Sequence, residues 1–424
     1  MKDSGIEWIG PVPGHWGVGS LRWLATCRSG LSVPTEDFQK DHSDTYHIPV
    51  IGSNGSIGFT NRPSINSEII AVGRVGSCGS VRIVDVPAWV TDNALIIEPT
   101  DRLDIRFLSW VLQARNLPEL ATKTAQPLIT GGQILNQKIP YTSLPEQTRI
   151  ANFLDEQTAR IDALIADKER LDALLGEYRS SLISAAVTGQ LDPTTGEAPR
   201  RAQEGGSGVR GKVSAPRGWM WSKVKYVADF YTGWTPSTGN QDFFHGSNLW
   251  ANISDLGPKT LYDTAKQISD EAVKQAGINI SPAGSVLFSF KLSIGQVSFA
   301  GRDMYTNEAI ATFPPQSGFN AKWAYWALPV YVPLNADENI YGAKLLNQEL
   351  IRSAHILVPP PPEQTRIANF LDEQTARIDD LRSHCVEHIM LLREYRSSLI
   401  SAAVTGQLDI GGFRGAGALV SSGG

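Results

Sequence analysis

The stretch EQTRIANFLDEQTARID stands at Glu146–Asp162 and again, letter for letter, at Glu363–Asp379. The identity reaches back to Pro145 and Pro362, and it resumes at Glu177–Asp192 and Glu394–Asp409 after a diverged middle. Two copies half a chain apart are too few for a solenoid. They describe a duplicated unit in which a variable region is followed by a constant one.

The constant region reads as a helix with a heptad seam. Ile150, Leu154, Gln157, Ile161, Leu164, Lys168, Leu171, Leu175, Tyr178, Leu182 and Ala185 alternate spacings of four and three. Ile367, Leu371, Gln374, Ile378, Leu381, Cys385, His388, Leu392, Tyr395, Leu399 and Ala402 keep that register in the second copy. Such a row predicts a coiled coil and not a solitary surface helix. Pro145 and Pro362 suit a first helical turn, and Gly189 and Gly406 suit the stop. Two spacer helices are therefore expected, over 145–192 and 362–409. A linker over 193–212, rich in Gly, Pro and charge, separates the first spacer from the second variable region. If the helices ran parallel, that linker would have to return the whole length of the rod, so an antiparallel pair with a pseudo-two-fold axis is expected. The seam accounts only for apolar residues. Identity at Glu146, Arg149, Asp155, Glu156, Arg160 and Arg179 points either to a partner surface presented twice or to a recent duplication.

The variable regions, 1–144 and 213–361, share a faint plan. PGHW (Pro13–Trp16) answers PRGW (Pro216–Trp219), and VGRVGSCGSVRIV (Val72–Val84) answers FSFKLSIGQVSFA (Phe288–Ala300). VTDNALIIEP (Val90–Pro99) answers YTNEAIATFP (Tyr305–Pro314), and GGQILNQKI (Gly131–Ile139) answers GAKLLNQEL (Gly342–Leu350). Short β-branched runs between Gly, Asn and Pro read as strands, while LSWVLQARN and KWAYWAL read as short helices. The fold class expected is α+β: two mixed α/β domains joined by two long antiparallel coiled-coil helices. Residues 410–424 are expected to form a disordered tail.

Composition sets limits around this plan. The chain of 424 residues has a net charge of −5 and 42% hydrophobic residues. The first spacer alone holds 5 Lys/Arg against 9 Asp/Glu, so the acidity sits in the repeats and the variable domains are near neutral. Charge thus neither supports nor excludes a nucleic-acid partner. No long apolar run or basic-then-apolar leader is present, and three scattered cysteines make no zinc framework, so a cytoplasmic protein with free thiols is expected.

The opening GIEWIGPVPGHW, the YTGWTPSTGN and LWANISDLG runs, GSVLFSFKLSIGQVSFAGRDMYTNEAI and the two PEQTRIANFLDEQTARID segments together resemble the specificity subunits of type I restriction-modification systems. The resemblance covers nearly the whole chain apart from the linker and the tail. It implies two target-recognition domains, each reading one half of an interrupted, asymmetric double-stranded DNA site. It also implies that the spacer helices dock two modification methyltransferase subunits, which use S-adenosylmethionine to methylate adenine at N6. Restriction/translocase subunits, with ATP and Mg, would join through them. This chain would bind no cofactor and would not itself be catalytic.

The residues agree with a non-catalytic reading. No GxxxxGK[ST] phosphate loop occurs, and GSNGSIG (Gly52–Gly58) reads as turn glycines. No adenine-methylation motif or nuclease carboxylate cluster is visible. His384 and His388 have chelating spacing on a helix, but His388 falls on the expected seam, and no metal site is expected. Candidate DNA contacts are polar residues on Gly-rich loops: Arg74, Ser77 and Ser80 in the first domain, and Lys291, Ser293 and Gln296 in the second. A plain β-turn beside the core accounts for the same residues. Tyr231, Thr232, Trp234 and Thr235 form a further candidate loop, with Trp234 equally suited to the core. Lys344 is a candidate beside a helix start, where Gln133, Asn136 and Asn347 read as capping residues. A coiled-coil scaffold without DNA specificity, an enzyme acting alone and an orphan subunit of a methylation-only system are the rival readings. Salt-dependent retention on duplex DNA separates the first of these from a DNA reader.

Overall fold

The computed structural model describes residues 1–122, 127–196, 215–237, 239–338, 342 and 344–411. The repeated segments lie on two long helices, Leu144–Val187 and Pro361–Val404. Each ends before a glycine in the left-handed region, Gly189 at φ 67° and Gly406 at φ 68°. Close packing requires glycine there as well. A Cβ on Gly189 would meet Pro216 at 2.3 Å, and one on Gly406 would meet Pro13 at 2.5 Å. The expected linker is described only as far as residue 196 and the expected tail only as far as residue 411; the remainder of each lies outside the described residues.

The chain forms two compact units, Met1–Arg170 with Val386–Gly424, and Leu171–Cys385. In the first unit, Ile150, Leu154 and Ile161 share a core with Leu399, Ile400 and Val404. Arg396 pairs with Asp162 at 2.8 Å and Arg393 with Glu169 at 2.9 Å. Numbers rise along one helix as they fall along the other, so the segments run antiparallel. The second unit repeats the arrangement. Ile367, Leu371 and Ile378 share a core with Leu182, Ala186 and Val187, while Arg382 pairs with Asp172 at 2.8 Å and Arg179 with Asp379 at 2.9 Å. Each unit thus takes the start of one long helix and the end of the other.

The seam differs from the expected row in half its positions. Leu154, Ile161 and Leu182 are buried and Leu175 half-buried, but Leu164, Leu171 and Tyr178 are exposed. Thr158, Ile165, Asp172, Arg179 and Ala186 face inward instead. The second helix shows the same shift: Ile367, Leu371, Ile378 and Leu399 are buried and Leu392 half-buried, whereas Leu381 and Tyr395 are exposed, with Thr375, Arg382, Ile389, Arg396 and Ala403 inward. His388 is likewise exposed, its expected place taken by Ile389. Both rows alternate four and three, and the apolar letters favoured the wrong one. The interhelical ion pairs explain the outcome, since Asp172, Arg179, Arg382 and Arg396 are tolerated inward because each meets an opposite charge across the seam.

The two variable regions have the same topology. In the first, an antiparallel sheet runs in the order Ala25–Ser29, Ala94–Pro99, Ile69–Gly73, Val81–Val84. In the second the order is Tyr231–Thr232, Ile310–Phe313, Val286–Ser289, Val297–Ala300, with Thr260–Leu261 added in parallel at the edge. A three-stranded sheet with one parallel pair follows in each: Ile48–Gly52 beside Trp89–Val90, and Asn248–Ala251 beside Tyr305–Thr306. One helix packs on each larger sheet, Ile105–Ala114 capped by Asp104 and Ala321–Tyr331 capped by Asn320. A second short helix, Gly131–Leu135, is capped by Thr130 and corresponds to Gln348–Ser353, capped by Asn347. The letter match of GGQILNQKI with GAKLLNQEL is therefore slipped by several residues. The two stretches resemble each other in composition and not in place.

Candidate nucleic-acid interface

The repeated segment holds each domain in place by the same polar joints. Gln147 is fully buried. It accepts the Asp104 N–H at 2.8 Å and donates to the carbonyls of Thr142 at 2.8 Å and Arg102 at 3.0 Å. Gln364 does the same work in the second unit, accepting the Asn320 N–H at 2.8 Å and donating to the Pro359 carbonyl at 2.9 Å. Two turns on, Asp155 accepts the Trp110 indole N–H and Arg106 Nη1, both at 2.9 Å. Asp372 accepts the Trp326 indole at 2.9 Å and Lys259 Nζ at 2.8 Å. Glu146, Asp155 and Arg179, whose identity the seam left unexplained, are thus engaged inside their own units.

Glu146 shows the electrostatic side of this joint. Burial raises its pKa, but hydrogen bonds from Thr142, His15 (3.1 Å) and the Trp16 indole (3.2 Å) outweigh burial and hold it below the usual glutamate range. A depressed carboxylate contributes stability that is fully present above its unfolded pKa, about 4.3. That contribution is lost as pH falls through the lower folded value. Glu146→Gln should therefore flatten the acid limb of the first unit's stability below about pH 4, measured by denaturant titration across pH. An unchanged acid limb would show that the carboxylate does not carry the contact.

Each domain directs two loops to one end of its larger sheet. In the first domain the hairpin loop after Ile69–Gly73 closes through Gly73 N–H to Ser80 O (2.9 Å) and Gly79 N–H to Gly73 O (2.8 Å). In the second, Ser289 N–H to Gln296 O (2.8 Å) and Gly295 N–H to Ser289 O (3.0 Å) close the same loop. Gly76 and Leu292 occupy one left-handed position, at φ 74° and 56°, and Gly79 and Gly295 another. A left-handed leucine costs about 1–3 kcal/mol relative to glycine. The second loop follows the first strand. Leu31 N–H donates to Val90 O at 2.9 Å in the first domain, and Trp234 N–H donates to Thr306 O at 2.9 Å in the second.

The structure joins some of the predicted residues and separates others. Arg74 Nη1 donates to Ser29 Oγ at 3.2 Å, which ties the two loops of the first domain together. Ser77 is exposed, and Ser80 donates to the Ser53 carbonyl. In the second domain Glu308 is the tie, accepting from the Thr235 hydroxyl and lying 3.8 Å from Lys291 Nζ. Burial raises the pKa of Glu308, yet these bonds bring it below the usual range. Ser293 is exposed at the tip. Arg74 and Lys291 are not counterparts, because the matched loop geometry pairs Arg74 with Phe290 and Lys291 with Val75. Tyr231 donates its hydroxyl to Ile280 O at 2.7 Å, Gln296 donates to Leu256 O at 2.5 Å, and Thr232 accepts from Gln348 at 3.0 Å. Trp234 packs near Phe243, with ring centroids 6.3 Å apart, and its carbonyl accepts the Trp250 indole. These four brace the loops. Lys344 lies on a separate hairpin, opposite Glu338.

Glu308, Leu292 and the Gln147–Asp155 joint were missed by sequence reasoning. The verbatim glutamines were the available signal for the joint, and the aligned TDNA and TNEA letters for Glu308. Among the described residues no cluster of His, Cys, Asp or Glu is arranged to hold a metal. His384 stands 3.6 Å from Asp380 on its own helix. Among the same residues no helix is long and apolar enough to cross a membrane.

Two domains of one topology, with largely dissimilar side chains on equivalent loops and corresponding Gln and Asp joints to long helices, define a duplicated recognition protein. The chain belongs to the family of the type I restriction modification DNA specificity domain, whose model matches residues 13–171 and again 216–384. It is accordingly a non-catalytic specificity subunit. It is 22% identical over 339 residues to the type I restriction enzyme EcoDI specificity subunit of Escherichia coli, covering 74% of this chain and 72% of that one. The MjaIX specificity subunit of Methanocaldococcus jannaschii is 26% identical over 167 residues, a match that spans only 38% of either chain. A solved structure described as the basis of complex assembly and conformational transition of the type I R-M system has a TM-score of 0.67 at 17% identity, covering 94% of this chain and 100% of that one. The HsdS subunit from Thermoanaerobacter tengcongensis gives 0.52 at 16% identity over 96% and 100% of the chains. Both likenesses concern the fold.

Proposed function

We propose that the chain reads an interrupted, asymmetric double-stranded DNA site, one half with each variable domain, and docks two adenine-N6 methyltransferase subunits on its long helices. The observation that carries this reading is the contrast within each domain. The backbone of the paired loops is held constant, while most of the side chains they present differ between domains: Arg74, Val75, Gly76 and Ser80 stand where Phe290, Lys291, Leu292 and Gln296 do, and Ser77 and Ser293 are the shared exception. A protein that reads two unlike half-sites needs one scaffold with two sets of contacts. Arg74, Ser77, Lys291, Ser293 and Thr235 are the polar candidates at the loops. Ser80, Gln296, Tyr231, Thr232 and Trp234 position them.

Docking is supported by apolar side chains left outside the seam. Leu164, Met390 and Tyr395 in the first unit, and Leu171, Leu174 and Tyr178 in the second, are exposed on helices whose seam is already filled. A methyltransferase subunit covering them would supply S-adenosylmethionine chemistry. Restriction/translocase subunits using ATP and Mg would join through it, and this chain would bind none of these cofactors. The test is a genome-wide map of N6-methyladenine with and without the gene, read beside purification of the chain co-expressed with its methyltransferase. An interrupted motif that disappears on deletion, and a complex with two methyltransferases per chain, are expected. A methylome indifferent to deletion would falsify the proposal.

A further inference from the structure

Leu292 is at odds with its surroundings in three ways. It is 93% exposed, the most exposed of the large apolar residues among those described. Its backbone is left-handed at φ 56°, a region that disfavours branched side chains, whereas the equivalent position in the first domain is Gly76. Its loop is nevertheless rigidly anchored. Ser289 Oγ donates to Lys291 O at 3.1 Å, Gln296 Nε2 donates to Leu256 O, and Phe290, two residues before it, is buried in the core. A mobile loop would let the leucine fold back onto the protein, and this one holds it out.

We infer that Leu292 is an apolar wedge that enters the base stack of the half-site read by the second domain. The inference rests on the DNA-reading function proposed above. Its setting fits that use, since Lys291 before it offers a cation to phosphate and Ser293 after it a hydroxyl, with only the leucine apolar between them. A side chain that touches one groove wall needs one free face. Leu292 is bare on almost all sides, as insertion between base pairs requires. Apolar wedges of this kind unstack a step and bend the duplex around the protein surface. The first domain has glycine at the same place, so only one half-site should be unstacked.

The experiment uses the chain with its methyltransferase subunits and a duplex carrying the mapped motif. Adenines other than the methylated one are replaced singly by 2-aminopurine, whose fluorescence rises on unstacking. Brightening is expected at a step in one half-site only, and Leu292→Ala should abolish it and weaken binding roughly 10- to 100-fold, the scale of a lost base contact. Leu292→Gly should bind as poorly while melting no lower than the parent, because glycine relieves the left-handed strain. A leucine serving the fold would do the reverse, lowering stability and leaving affinity unchanged, and that result would overturn the inference. Uniformly dark probes with a loss of affinity on replacing thymine by uracil would overturn it too, in favour of a methyl contact. If the complex binds the mapped duplex no better than a scrambled one, the DNA-reading function itself fails, and the wedge with it.

Discussion

Gln147→Leu should cost the first unit roughly 3–5 kcal/mol of stability. The amide is fully buried and serves three backbone groups: the Asp104 N–H and the carbonyls of Arg102 and Thr142. Leucine fills nearly the same volume but takes away the partner of all three, at a side-chain site that is itself fully buried. Each buried, unsatisfied polar group costs about 1–3 kcal/mol, so the sum exceeds what most single substitutions do. Gln364→Leu should cost less, since that amide has two such partners, Asn320 N–H and Pro359 O. Hydrogen exchange of the segments around Asp104 and Asn320, with urea denaturation of each variant, measures the pair. Equal and small losses at both positions would show that the glutamines are spectators and that the repeat is identical for another reason.

That joint also shows how far the letters could be read. The repeat, the two long helices and their antiparallel pairing follow from heptad spacing and the short linker, because helix periodicity is a local signal. The seam was half misread for a reason internal to that signal. Two rows one residue apart both alternate four and three, and Leu164, Leu171 and Tyr178 made the apolar row the attractive one. The choice is settled by Arg382–Asp172 and Arg179–Asp379, pairs 210 and 200 residues apart in sequence, which only the fold brings together. The polar residues of the repeat were read as outward-facing for the same reason. Nothing near Asp155 in sequence announces that Trp110 and Arg106 will reach it. At the loops, polar residue type was a poor guide to role. Tyr231 and Gln296 spend their hydrogen bonds on backbone carbonyls of other segments, while an aliphatic side chain, Leu292, stands 93% exposed.

Gly233→Ala should disable the second domain's loop pair while sparing the first domain's. A Cβ there would stand 1.7 Å from the carbonyl oxygen of Thr306 and 2.3 Å from its carbon, and both are backbone atoms that cannot swing aside. The strand must therefore back away from Thr306, breaking the Trp234 N–H to Thr306 O bond and drawing Thr235 off Glu308. Stability of the second unit should fall by roughly 1–3 kcal/mol, the range of forced backbone displacement in a packed site. Specific binding should fall roughly 100- to 1,000-fold toward the non-specific level, because only one half-site remains readable. Gly30→Ala is the matching variant, with a Cβ 2.2 Å from the Thr91 carbonyl oxygen. The two should relax opposite halves of the motif in a methylation map. A folded Gly233→Ala complex that still methylates the complete motif with undiminished preference would mean that the loop joined by Glu308 is not where the second half-site is read. If Gly30→Ala and Gly233→Ala relaxed the same half, the assignment of one half-site to each domain would be wrong.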